Sequence, residues 1–77
     1  MATPTPLTKR LGSKIRKARK GAELTQRDLA HKIGHTGEDA GSYISRVEQG
    51  RTQPRLTVLQ KLAKVLGVSM GQLLGKA

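Results

Sequence analysis

Residues 24–50, LTQRDLAHKIGHTGEDAGSYISRVEQG, decide the fold. The first part carries the marks of a short helix. Thr25 is a good N-cap, Asp28 three residues later completes a capping-box pattern, and Leu24 precedes the cap as a hydrophobic staple. Leu29, Ala30 and Ile33 supply the apolar face and Gly34 the stop. Helix 2 is therefore expected to run about nine residues, too short to be stable alone. The last part predicts helix 3 over roughly 40–49, ending at Gly50. Between them HTGEDAG reads as a turn or an irregular helix entry. Thr36 or Asp39 is placed to cap helix 3, with Glu38 and Asp39 near its positive end.

At roughly 100° per residue, Ala40, Ile44 and Val47 share one side of helix 3 and are its only candidates for the core. Opposite lie Ser42, Ser45, Arg46 and Gln49, with Tyr43 at the flank. Such short polar groups can approach a base edge, and one arginine can pair with guanine in two-pronged fashion. The plainer alternative is an ordinary solvated face. Glu48 borders the apolar stripe, as Arg19 borders the stripe of the preceding helix. An Arg19–Glu48 ion pair is therefore expected to tie helix 1 to helix 3, partly out of water.

Working outward, no run alternates as a strand would, and helical spacing recurs throughout. Helix 1 is expected from Pro6, with Thr5 as N-cap, to Gly21. Leu7, Leu11, Ile15 and Ala18 form its apolar stripe. Helix 4 follows Pro54 with Leu56, Leu59, Leu62, Ala63 and Leu66 inward, and stops at Gly67. Ser69 and Gln72 repeat the capping-box pattern and open a short helix 5 through Leu74. The fold class is all-α, a compact five-helix domain over residues 7–75 behind a loose tail at 1–6.

The chain has 77 residues, room for one small domain. Its 15 Lys and Arg outnumber 5 Asp and Glu, a net charge of +10. Such an excess repels itself unless a polyanion offsets it, which points to nucleic acid or an anionic membrane. From Lys9 to Lys20 there are seven cations and no acid. A membrane fits poorly, because no apolar run approaches about 18 residues and the basic helix 1 lacks Trp or Phe anchors. With no cysteine there is neither disulfide nor thiolate zinc, and a cytoplasmic location is expected. His31 and His35 lack a third metal ligand, and Ser42, Ser45 and Ser69 lack a base and an orienting acid. Neither a metal site, a cofactor nor an enzyme is expected.

Four segments, LGSKIRKARK (11–20), LTQRDLAHKIG (24–34), YISRVEQGRTQP (43–54) and LQKLAKVLGVSMGQLL (59–74), resemble the lambda-repressor-like, Cro/cI-type (XRE) helix-turn-helix family. The likeness covers about residues 7–75. It implies a domain in which helix 2 crosses the backbone of double-stranded DNA and helix 3 enters the major groove. Gly41, Ser42, Tyr43 and Arg46 match base-facing positions, to which the wheel adds Ser45. Gln26 matches a glutamine that touches phosphate and braces the first base-reading residue. Gln49, Arg51, Thr52 and Arg55 match the phosphate-contacting loop, and Arg27 is placed with them. Arg19 and Glu48 match the interhelix ion pair. One departure stands out: Gly34 to Ile44 is about four residues longer than usual, which either lengthens the turn or extends helix 3. Gly41 also stands where the family often has glutamine.

These readings imply a transcriptional regulator, a repressor acting as a homodimer on a palindromic operator, in the cytoplasm at the nucleoid. Val58, Val65, Met70, Leu73 and Leu74 are candidates for the dimer surface or, alternatively, for completing the core. The competing class is an antitoxin that masks a toxin and regulates its own operon.

Overall fold

The computed structural model describes residues 6–74, with side chains from Thr8 onward. The Thr5 cap, the Leu7 side chain and the tail at 1–5 lie outside the described residues. Five helices and no strand occur among those residues: α1 (Pro6–Gly21), α2 (Gln26–Lys32), α3 (Ala40–Glu48), α4 (Leu56–Leu66) and α5 (Met70–Leu73).

Local chemistry sets the helix ends. Thr25 Oγ1 accepts from the Asp28 N–H at 2.9 Å, and the Asp28 carboxylate accepts from the Thr25 N–H at 3.0 Å. That backbone hydrogen bond holds the Asp28 carboxyl below the usual carboxylate range. Ser69 and Gln72 form the same reciprocal pair at α5. Gly67 closes α4 in the left-handed conformation, φ +70°, which a Cβ would disfavour. Helix α2 is shorter than expected, seven residues, because Ile33 already leaves helical geometry and serves as its C-cap. The long segment before α3 is turn and irregular backbone with no helix in it, so the extra residues lengthen the connection and α3 is not extended. Asp39 occupies the N-cap position of α3, yet its side chain makes no capping hydrogen bond.

The core is aliphatic. Leu11, Ile15, Leu29, Ala30, Ile33, Ala40, Ile44, Val47, Leu59, Leu62, Ala63 and Leu73 are buried together. Burying each such Leu, Ile or Val contributes about 1.5–3 kcal/mol relative to exposure. Val58, Val65, Leu66 and Met70 pack partly against this cluster. Leu73 is thus a core residue, while Leu74 stays 48% exposed. Leu56, expected inward, is 62% exposed. Its spacing fits the stripe of α4, but it stands in the first turn of the helix, above the height at which other elements cover that face.

Helix α1 crosses the end of α3 at Gly12. A Cβ there would collide with the backbone of Val47 and Glu48. Gly50, at φ +75°, lies so close to α1 that a Cβ would sit 2.9 Å from the Cα of Lys9. These two contacts let the helix backbones approach more closely than side chains permit. Replacing Gly12 by Ala is expected to destabilise the domain by about 1–3 kcal/mol, as overpacking does. Ala at Gly41, where a Cβ meets Arg27 at no less than 3.5 Å, should be tolerated. Urea unfolding of the two variants measures both.

Candidate nucleic-acid interface

The site is built on how α3 is held. Glu48 and Arg19 are each 8% exposed, among the least exposed charged residues of the chain. Arg19 Nε donates to Glu48 Oε2 at 2.6 Å and Nη2 to Oε1 at 3.2 Å, a two-pronged pair. The third nitrogen, Nη1, donates to the Leu24 carbonyl at 2.8 Å, fixing the entry to α2. Gln26 Nε2 adds a bond to Glu48 Oε1 at 3.1 Å. One buried carboxylate therefore joins α1, α2 and α3, with its charge matched and its oxygens satisfied.

With its Ala40–Ile44–Val47 edge fully buried, α3 turns Ser42, Arg46 and Gln49 outward. Ser45 is half-buried beside them, its Oγ accepting from Gln49 Nε2 at 2.8 Å. Tyr43 lies at the flank and stacks on His35 with ring centroids 4.7 Å apart. This stack fastens the long turn to the side of α3. Burial pushes the Tyr43 phenol up, against the opposing pull of Arg46 and Arg55. At neutral pH it is a protonated hydroxyl, able to donate as well as accept.

Arg51, Thr52 and Arg55 follow α3 in the connection to α4, with both arginines exposed. Tyr43, His35, Thr52, Gln53 and Arg55 rim an open cavity of about 490 Å³ floored by Ile33 and Val58. Arg27 is exposed on α2, its backbone against Gly41. Arg27 thus lies beside the start of α3, and Tyr43 of α3 shares a cavity with Thr52 and Arg55 of the loop that follows it. Gln26 stands at the start of α2 with its side-chain amide donating to Glu48, and Gly41 has no side chain of its own. The sequence reading also missed the Ser45–Gln49 bond and the His35–Tyr43 stack. The first had a signal in its i, i+4 spacing; the second had only the presence of a lone aromatic residue. Among the described residues no cluster of three or more metal-ligating side chains occurs, and no helix is long and apolar enough to cross a membrane.

Two short helices joined through a turn, the second offering a polar outer edge, define a helix-turn-helix. The chain belongs to the XRE-type helix-turn-helix family of DNA-binding transcription regulators, whose profile matches residues 15–73. It is 36% identical over 67 residues to a Yarrowia lipolytica protein described as multi-protein-binding factor 1, a match over 87% of this chain and 41% of that protein. The chain thus spans about two fifths of that relative's length. The restriction-modification controller protein C.AhdI of Aeromonas hydrophila superposes with TM-score 0.75 and 29% identity, over 86% of this chain and 94% of that one. The clp gene regulator ClgR of Corynebacterium glutamicum gives TM-score 0.79 and 26% identity, over 94% and 72%. Family and neighbours are regulators, not enzymes.

Removing one partner from the buried pair leaves the other charge without compensation, so Arg19→Ala is expected to cost about 3–5 kcal/mol. A double variant, Arg19→Met with Glu48→Leu, should recover much of that loss. Chemical denaturation of single and double variants measures the difference.

Proposed function

We propose that this protein is a sequence-specific repressor that reads the major groove of double-stranded DNA with α3. In this reading the Gly41 backbone allows close approach, while Ser42, Tyr43, Ser45 and Arg46 contact bases, Arg46 pairing with a guanine. Gln26, Arg27, Gln49, Arg51, Thr52 and Arg55 contact phosphates and set the register. The observation that carries the reading is the disposition of α3, apolar edge buried and Ser42, Arg46 and Gln49 exposed beside the start of α2. One short helix spans few base pairs. A homodimer on a palindrome, with half-sites about 34 Å apart, therefore completes the recognition. Exposed Leu74 beside partly covered Met70 is the surface we assign to that dimer. Residues 7–75 act in this scheme as one domain working at the nucleoid in the cytoplasm.

A second reading is a protein-interaction module, of which an antitoxin masking a toxin is one form. It is favoured by the name of the Yarrowia lipolytica relative and by the exposed Leu56 and Leu74. Co-purification with a stoichiometric protein partner, and no preference among duplexes, would support it over the first.

Selection of bound duplexes from a random library gives the operator and its symmetry. On that operator Arg46→Ala should lose about 1–3 kcal/mol of discrimination at one base pair. Arg51→Ala and Arg55→Ala should instead weaken operator and scrambled duplex alike and flatten the salt dependence. Equal losses of discrimination in all three would reject the division of labour.

A further inference from the structure

Residues 22–55, which contain α2, α3 and the connections on either side, carry five cations (Arg27, Lys32, Arg46, Arg51, Arg55). The same residues carry all five acids of the chain: Glu23, Asp28, Glu38, Asp39 and Glu48. The segment that reads DNA is therefore neutral as a whole. The entire +10 excess lies outside it, most of it on α1, which has seven cations and no acid. Attraction to one duplex on α3 does not explain charge concentrated there.

The placement of these cations sharpens the point. Gly12 and Arg19 mark the side of α1 that meets α3. At roughly 100° per residue, Arg10, Lys14 and Lys17 are centred about 180° away from them. They make a ridge about 10 Å long at the helical rise. Lys14 and Lys17, with Gln72 of α5, border a shallow groove on that side. Among the described residues none of the three is ion-paired; the Arg19–Glu48 pair stands alone. The ridge thus lies on the side of α1 away from α3, although the N-terminal end of α1 comes close to the end of α3 where Lys9 meets Gly50.

We propose that the Arg10–Lys14–Lys17 ridge of α1 is a second, sequence-independent binding surface for double-stranded DNA. It holds a separate duplex segment while α3 holds the operator. Three cations over this length meet a rod carrying one negative charge per about 1.7 Å, and phosphate binding by counterion release requires no base contact. Duplex is favoured over an anionic membrane because the ridge has no aromatic or large apolar anchor. The proposal rests on the reading of α3 as the operator-binding face.

The test uses the full chain, saturated with unlabelled operator duplex obtained by selection, and a fluorescent scrambled duplex as probe. Recruitment of the probe to the protein–operator complex is expected. Arg10→Gln, Lys14→Gln and Lys17→Gln together should weaken recruitment at least roughly tenfold and reduce its salt slope by about 2.7. Operator affinity should change by less than about threefold. A charge-keeping variant, Lys14→Arg with Lys17→Arg, should recruit as the parent does, separating charge from folding. Unaltered recruitment by the triple Gln variant overturns the proposal. So does a loss of operator affinity as large as that of Arg51→Ala with Arg55→Ala, which would put the ridge on the same duplex. Binding of anionic vesicles in place of the probe overturns the choice of partner. If the ridge variant removes all duplex binding and the Arg51/Arg55 variant removes none, the ridge stands as a DNA surface and the reading of α3 falls.

Discussion

The structure depends on one buried carboxylate. Glu48 sits at the end of a helix whose other inward residues are aliphatic, and a carboxylate there must be matched or it disrupts the packing. Arg19 matches it from α1 with two nitrogens and uses the third to hold the Leu24 carbonyl. Gln26 closes the arrangement from α2. Three helices are thereby referenced to a single pair of oxygens. Turning α3 by one residue would swing Glu48 away from Arg19 and bring Ile44 toward water, so the rotation of the helix about its own axis has one satisfactory value. That value presents Ser42, Arg46 and Gln49 as the outer edge. The orientation of α3 thus rests on a structural ion pair that is itself almost hidden from solvent.

The features legible in the sequence were those with a local cause. Both capping boxes follow from side chains three residues apart. The burial of Ile44 and Val47 follows from helical spacing, and the neighbourhood of Arg19 and Glu48 from their angles beside two apolar stripes. Illegible features needed the third dimension. A wheel gives an angle but not a height, and Leu56 has the right angle at a height where nothing covers it. Gly12 had a signal that went unread: glycine inside a helix costs about 1 kcal/mol relative to alanine, so it asks for a close neighbour. The neighbour is the backbone of Val47 and Glu48. The bond from Gln26 to Glu48 joins residues 22 apart in the chain, and no local spacing announces it.

The long connection between α2 and α3 leaves α3 at an ordinary length and adds its residues as turn. Its His35 is stacked on Tyr43, so the extra loop is fastened to the flank of the candidate reading helix instead of hanging free. Charge is distributed to a different logic. Every acid lies in or beside the two helices of the motif, leaving that unit electrically balanced, and most of the excess positive charge lies on α1. In the proposed reading, a balanced α3 edge relies on fit and hydrogen bonding to tell one duplex from another.

We propose that the Arg19–Glu48–Gln26 clamp fixes α3 with its Ser42–Arg46–Gln49 edge toward the duplex. Titrating the isotope-labelled protein with its selected operator and following backbone and side-chain amide resonances tests this most directly. The largest shifts are expected at Ser42, Ser45, Arg46 and Gln49 and in residues 51–55, with Ile44 and Val47 changing little. Shifts confined to α1, α4 and α5, with the α3 edge silent, would contradict it.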